Sequence, residues 1–590
     1  MKKIIPHPPR EERPKMWRSL NELEGDPEFD QWLHQEFPRG ADVYEDSGLS
    51  RRDFVKLLGA SMALAGVGLT GCRRPELYLV PFTDAVEYTI PGKNLYYATS
   101  MPTRLGAMPL LATTVDGRPI KLEGNPVHPN SNGATSTFAQ ASLLDLYDPH
   151  RSKTITHRGE TKTREEFDEA LAALREKYQG NGAGLAFLVQ SGNSPTRERL
   201  RAKLAEEFPG MTWAEYEPLG NDLYEQAVST AFGAGTKLVP DFSKADVILA
   251  LDSDFLNADE TGVAFASGFY PRRSPDQTDN SMNRLYAVES SYSLTGGMAD
   301  HRLPLPANRI GAFTRALAAA VASATGDRNL LKLAGNVAGF PNGETATWIR
   351  ECAADLVAHR GRAVVFCGTQ QPVGVQLLTL AINQALEAYG NTLLLRQADQ
   401  NDAPTTIVEL AEKIQGGEVE TLFVMGGNPV YNAPAELELA QLLTKVETSF
   451  HLAMFEDETS KFCQWNIPAA HFLESWGDGR SLDGTYTPVQ PMILPLWDGI
   501  PELEIYAGLL GQTEIEGPAL IRETFDSLAG NANGDPDLAW NEFLRRGFLA
   551  DSAYPESTGS FRSAEVGSGI SANPIAEENG LEVVFLQSSS

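Results

Sequence analysis

Cysteine is scarce in this 590-residue chain: there are four, Cys72, Cys352, Cys367 and Cys463, and no two stand in a C-x-x-C pair. Structural zinc sites and iron–sulfur clusters usually draw ligands from such pairs, so neither is written into the sequence. Cys367 sits in an apolar, strand-like run where a free thiol is ordinary core. A disulfide between two of Cys352, Cys367 and Cys463 is possible in an oxidising compartment, and spacing does not choose the pair. Basic residues are also in short supply, 49 Lys and Arg against 78 Asp and Glu, for a net charge of −29. Beyond residue 71 the tally is 39 against 66, so the body itself carries −27. That excludes a nucleic-acid surface, which needs basic patches, and it permits docking to a basic partner. No apolar run reaches the roughly 20 residues of a membrane-spanning helix. Walker loop, nucleophile elbow and zinc-hydrolase helix are all absent.

The candidate ligands that do occur are scattered. His150, His301, His451 and His471 read as isolated, and His128, between prolines, reads as a loop residue. Glu456-Asp457-Glu458 reads as a solvated loop, and Asp478, Arg480 and Asp483 as turn residues in a glycine-rich stretch. From the residues alone the expectation is no catalytic residue and no metal site.

What is present first is an export signal. Residues 50–72 read SRRDFVKLLGASMALAGVGLTGC. The twin arginine Arg51-Arg52, a moderately apolar run over 57–71 and a small residue before the processing point fit the twin-arginine pathway, which carries folded proteins. Leu69-Thr70-Gly71-Cys72 resembles a lipobox, which makes Cys72 a candidate for lipidation. The competing reading is a short buried helix after a basic loop. Residues 1–49 precede the signal and form a leader, with short helical patterns over 17–37; it reads equally as a disordered stretch or as a presequence inspected before export.

The body divides by pattern. Residues 73–155 read as a small β-rich domain, with an Asp116-Gly117 hairpin turn between two apolar runs. Residues 156–340 read as a first α/β domain. It opens on the capping box Thr163–Glu166 and carries a helix start at Ser194-Pro195. Residues 341–500 read as a second α/β domain, 501–550 as a helical return, and 551–590 as a Ser/Gly/Pro-rich linker with the start of a further domain. Strands alternating with helices predict an α/β fold of doubly wound parallel sheets. Glycine-rich turns at strand ends can cradle phosphates, and two are so placed: Gly192-Asn193-Ser194-Pro195 and Gly426-Gly427-Asn428-Pro429. Asp252 closes a third strand. A tight loop with no ligand is the plainer reading of each.

A longer pattern joins these pieces. The run 115–129, VDGRPIKLEGNPVHP, then Gly133 and Leu146-Tyr147-Asp148-Pro149-His150-Arg151, resembles the opening of molybdopterin oxidoreductases of the dimethyl-sulfoxide-reductase type. Gly426-Gly427-Asn428-Pro429 resembles that family's pterin-side loop. Ala287-Val288-Glu289 with residues 299–305, and Asp457-Glu458-Thr459 with Ile467-Pro468, Glu474 and Gly477, resemble its later segments. Cluster-bearing members place cysteines before the first hairpin and after the H-P…G element. Here residues 79–100 hold none, and Thr135-Ser136 stands where the last would fall.

With the long leader and the delayed signal, the chain resembles the molybdopterin-oxidoreductase-like part of the large iron–sulfur subunit of alternative complex III. That resemblance implies a non-catalytic scaffold in a respiratory quinol:cytochrome c (or similar carrier) oxidoreductase, on the periplasmic face of the cytoplasmic membrane. It implies partners among integral-membrane quinol-oxidising subunits and a multihaem cytochrome c. No cofactor is expected on this chain; Asn193, Asp252, Gly427 and Asn428 would be vestigial pterin-side positions. [4Fe–4S] and [3Fe–4S] clusters are expected in a ferredoxin-like domain following residue 590, or in a partner. The alternative is an exported molybdopterin-dependent oxidoreductase with an unusual ligand set.

Overall fold

The structure, a computed structural model, describes residues 90, 92–257, 262–274, 282–335, 343–399, 403–530, 535–575 and 583–585. The leader and the signal, with Arg51, Arg52 and Cys72, lie outside the described residues.

Following the chain shows how the layers are built. Strands β1 (Leu95–Thr103), β2 (Gly106–Val115) and β3 (Arg118–Gly124) form an antiparallel meander. The Asp116-Gly117 turn takes two left-handed residues, φ 50° and 77°, as a twisted two-residue hairpin requires. Helix Thr137–Leu146 follows, capped by Ser136, whose Oγ accepts from Ala139 N. One of the two hydroxyl residues standing where a cluster cysteine would fall is therefore a helix cap.

The short β4 (Thr156–His157) and β5 (Glu160–Thr161) lead to helix Arg164–Tyr178, which carries both halves of its capping box. Then come β6 (Leu185–Val189), helix Pro195–Glu207 and β7 (Thr212–Glu215). The chain next leaves for a second layer: β8 (Thr236–Pro240), β9 (Val247–Leu251), β10 (Arg284–Glu289), β11 (His301–Pro304), β12 (Ala363–Cys367) and β13 (Leu393–Gln397). It returns with β14 (Thr421–Met425), β15 (Thr448–Ala453) and β16 (Trp465–Pro468), and adds the hairpin β17 (Gly477–Arg480) and β18 (Tyr486–Val489).

The larger sheet has seven strands in the order β5-β4-β16-β15-β14-β6-β7, and the smaller has four in the order β11-β10-β9-β12, all parallel. β8 and β13 pair separately. A division into α/β domains at 156–340 and 341–500 is thus corrected. The larger sheet takes β6 and β7 from before the smaller sheet and β14 to β16 from after it. Strand–helix alternation predicts parallel sheets but does not say to which sheet a given strand belongs.

The central strands are continuous apolar runs, as expected of parallel strands covered on both faces. Val247–Leu251 and Leu185–Val189 are buried throughout. The larger sheet also carries an aromatic row in register. Trp213, Phe187, Phe423, Phe450, Trp465 and His157 lie on six adjacent strands. Their ring centroids are 5.3, 5.2, 4.4, 5.7 and 4.4 Å apart in turn. Cross-strand aromatic pairs add roughly 0.5–1.5 kcal/mol each beyond area burial.

Residues 551–575 are not a linker, which corrects that reading. Residues 555–557 pair with β13, and helix Ser563–Ala572 buries Val566 and Ile570. A Cβ on Gly569 would lie 2.7 Å from Leu377, on Gly374 2.2 Å from the Asn573 carbonyl, and on Gly311 2.3 Å from Ile575. Gly569, one of the small residues that read as flexible, is a seat of close contact.

Candidate functional site

In an open parallel sheet, ligands bind outside the carboxyl ends of the strands where the strand order reverses. The larger sheet reverses between β6 and β14, the smaller between β9 and β12. Three of the four loops leaving those strands carry the positions singled out in the sequence: Asn193 after β6, Gly427 and Asn428 after β14, and Asp252 after β9. The loop after β12 brings Gln370 and Gln371, which the sequence did not single out as site residues.

At the larger sheet, Gly426 and Gly427 are both left-handed, φ 77° and 70°. The Gln190 side chain lies over them; a Cβ on Gly426 would come within 2.6 Å of its Oε1. Asn428 Oδ1 accepts from Thr459 Oγ1 at 2.8 Å, and its Nδ2 donates to Glu458 at 2.7 Å. Buried His451 faces the Gly427 carbonyl with Nε2 and Ser460 Oγ with Nδ1, each at 3.1 Å. Burial lowers its pKa, against the pull of Asp457. It is a fastening of the glycine turn rather than an isolated residue. The dent that remains, between Gln190, Tyr216, Gly427 and Asn432, measures about 10 Å³, room for about one water molecule.

At the smaller sheet, Asp252 holds a strained left-handed backbone, φ 51°. Its carboxylate accepts from Ser290 N and Oγ, both at 2.9 Å, and from Gln370 and Gln371 Nε2 at 3.2 and 2.9 Å. Every lone-pair direction is taken by the protein.

Between the two lies a cluster that the sequence reading missed. Asp478 accepts from Ser194 Oγ, Thr196 N, Thr196 Oγ1 and Tyr486 Oη. Burial pushes its carboxyl above the usual range, against those donors. Arg480 donates to the carbonyls of Gly484 (2.6 Å) and Ser552 (3.0 Å), and its guanidinium lies 5.0 Å over the Tyr554 ring. Neither is a turn residue; Asp483, which caps Thr485 N, is one. Asn193 Nδ2 donates to Tyr554 Oη at 3.3 Å. His128 is fully buried, its ring edge-to-face with that of Phe548 and the ring centroids 5.2 Å apart. Burial, opposed by Asp483, takes it down to about 4. The signals available in sequence were only that Asp478 and Arg480 sit in a short glycine-flanked strand and that His128 belongs to a longer motif.

The donor sets bear on cofactors. Among the described residues no group of three His, Cys, Asp or Glu could hold a metal ion. Cys352, Cys367 and Cys463 are free and buried, so no disulfide joins them. Burial raises all three thiols, Cys463 to about 12, whereas cluster ligation needs thiolates. The loops do not fit a pterin either. A cofactor of that size needs hundreds of Å³, and here the side chains of Asn428 and Asp252 already have partners in the chain.

No family model matches the chain. It is 25% identical over 542 residues to the menaquinone reductase, molybdopterin-binding-like subunit, of Nitratidesulfovibrio vulgaris, spanning 83% of this chain and 76% of that protein. Its fold is similar to that of the acetylene hydratase from Pelobacter acetylenicus, with a TM-score of 0.55 at 12% identity over 70% of this chain and 69% of that one. The chain has an α/β fold of the molybdopterin oxidoreductase type. A shorter likeness, 26% over 126 residues, joins this chain to the NADPH-Fe(3+) oxidoreductase subunit alpha of Geobacter sulfurreducens, covering 20% of this chain and 15% of that protein. The likenesses to redox-complex subunits agree with the doubly wound fold, and the closed reversals are what sets this chain's site apart from an open cofactor crevice.

Proposed function

We propose that this chain is a non-catalytic scaffold within a membrane-associated, quinone-linked respiratory complex, and that it holds neither pterin nor iron–sulfur cluster itself. The single observation that carries this is that Asn428 and Asp252, at the two strand-order reversals, are engaged by the chain's own side chains. The long relative, a molybdopterin-binding-like subunit of a menaquinone reductase, supports the setting. Within that reading the complex is of the alternative complex III type, passing electrons from quinol to a cytochrome c or similar carrier. The clusters, [4Fe–4S] and [3Fe–4S], belong to a ferredoxin-like domain or partner, and the neighbours are quinol-oxidising membrane subunits and a multihaem cytochrome. Arg51 and Arg52 direct export of the folded chain to the periplasmic face, where Cys72 is the lipidation point. The acidic body suits docking to a basic carrier.

The test is the iron, molybdenum and pterin content of the chain purified anaerobically from a host that makes molybdopterin. The expected result is none of the three at stoichiometric level. Molybdenum with pterin at one per chain would replace this reading with a molybdopterin-dependent oxidoreductase of unusual ligand set.

A further inference from the structure

One exposed surface of the molecule is built from apolar side chains. Residues 491–497 read PMILPLW and form a loop outside any helix or strand. Met492 and Ile493 pack on the cluster of Leu110, Leu146 and Leu473, whereas Leu494 is 86% exposed and Leu496 is exposed beside it. The loop is fixed on both sides of that tip. Met492 N donates to the Leu473 carbonyl at 2.7 Å, Leu496 N to Glu474 Oε1 at 2.9 Å and Asp498 N to the Lys153 carbonyl at 3.1 Å. Glu474 is in turn paired with Arg151, both side chains buried, and Arg151 Nη1 also donates to the Leu146 carbonyl at 3.1 Å. That pair sets the loop beside the end of helix Thr137–Leu146, where Leu144 and Tyr147 are exposed. Tyr147 Oη donates to the Pro119 carbonyl at 2.8 Å, which brings in Ile120 of β3, also exposed. Single exposed leucines are ordinary, but a contiguous apolar patch marks an interaction surface.

We infer that this patch, made by Ile120, Leu144, Tyr147, Leu494 and Leu496, rests on an anionic lipid surface, with Leu494 and Leu496 at the acyl boundary. The inference rests on the membrane-associated reading above and names the face that meets the bilayer. The patch is framed as interfacial surfaces are. Trp497 lies under two cations, Arg151 at 5.0 Å and Lys153 at 5.6 Å from its ring centroid, and Tyr147 carries a second polar-tipped ring. Tryptophan and tyrosine favour headgroup level, where lysine stems lie along apolar surface and their charges reach lipid phosphate. Charge points the same way. Residues 92–155 hold six Lys and Arg against four Asp and Glu, a net charge of +2 in a chain of −29. Arg118, Lys121 and Lys153 are exposed about the patch, and Asp145, Asp148 and Asp498 are the acids close to it in sequence. An anionic surface repels the acidic remainder of the body and so turns this region toward itself. Among the described residues no helix is long and apolar enough to cross a membrane, so the contact is a shallow one, made by loop and helix-end side chains.

The test attaches an environment-sensitive nitrobenzoxadiazole label at single sites of the full chain, in a Cys72→Ser background; Cys352, Cys367 and Cys463 are buried. Leu494→Cys and Leu144→Cys report the patch, and Tyr431→Cys, an exposed position after β14, reports a control surface. With vesicles of phosphatidylethanolamine and phosphatidylglycerol, emission at the two patch sites is expected to rise roughly twofold or more while the control stays unchanged. Adding Leu496→Asp to the chain labelled at Leu144→Cys should abolish that rise, since both positions belong to one face. Vesicles of phosphatidylcholine alone should give less than about half the effect. No rise at Leu494→Cys, or an equal rise at Tyr431→Cys, overturns the inference. So does a label that ignores vesicles but is shielded in the assembled complex, which would make the patch a protein interface. Equal signals on phosphatidylcholine overturn the charge complementarity on which the lipid assignment rests. An anchor elsewhere in the chain does not mimic the expected result, because each label reports its own site. Stoichiometric pterin in the metal analysis, by contrast, overturns the scaffold reading and leaves the label's signal unchanged.

Discussion

The two sheets end their strands in different ways. The larger closes its reversal with backbone: two left-handed glycines under Gln190, an asparagine tied to Thr459 and Glu458, and a histidine on a carbonyl. The smaller closes with charge, one carboxylate collecting four donors at a strained residue. Their interiors differ in the same spirit. The larger carries an aromatic row across six strands, while the smaller stacks rings across one pair of strands, Tyr286 on His301, and its central runs Val247–Leu251 and Ala363–Cys367 hold one aromatic between them, Phe366. One fold rule thus places the reversal, and unrelated side-chain chemistry can occupy it.

The widest test of that contrast is acid. An unfolded histidine takes up a proton near 6.5, whereas burial holds His128 and His471 at about 4. Between those values the unfolded state binds more protons. Stability is therefore full above about pH 6.5 and falls as the pH drops toward 4, by up to roughly 3 kcal/mol per histidine. Glu474 adds in the same direction at lower pH: burial opposes its charge, but Arg151 at 2.7 Å and the backbone N–H groups of Leu496 and His471 outweigh it and keep its carboxyl below the usual range. Both histidines lie outside the smaller sheet. Urea denaturation at pH 7.5 and 4.5, read by hydrogen exchange, should show the small β domain and larger sheet loosening first. Earlier opening of β9 and β12 would break the comparison.

Phe423→Ala comes next. It removes the middle of the aromatic row at a fully buried site and should cost about 4 kcal/mol in equilibrium unfolding. Asp252→Ala should cost about 2 kcal/mol, because buried donors lose their acceptor. Asn428→Ala, at a partly exposed site, should cost about 1 kcal/mol in the same assay. Equal losses for the last pair would mean that carboxylate and asparagine closures are equivalent, and the contrast would shrink to the interiors alone.

Much of the scaffold was legible because it is local. The Asp116-Gly117 turn, the Thr163–Glu166 box, the Ser194-Pro195 helix start and the apolar strands are each set by neighbours in sequence. So are the strand-end positions of Asn193, Asp252 and Asn428. What was not legible depends on distant partners. Asp478 reads as a turn residue until Ser194 and Thr196 are brought to it from 282–284 positions away. Residues 563–575 read as linker because small residues that pack and small residues that flex have the same composition. His451 looks isolated because one of its partners, the Gly427 carbonyl, belongs to the backbone.

The interleaving of the sheets has a consequence in time. Leu185 pairs with Thr421, so β6 leaves the ribosome 236 residues before the strand that completes its sheet. At roughly 5–20 residues per second that is a wait of about 10–50 s, during which an apolar edge stands unpaired and the whole smaller sheet is synthesised. A nascent chain of this kind needs shelter for its open edge, and it reaches its final form only after synthesis has passed helix Ser563–Ala572. Delivery across a membrane by threading would postpone that assembly to the far side. A carrier that moves finished proteins would let the slow pairing close at home.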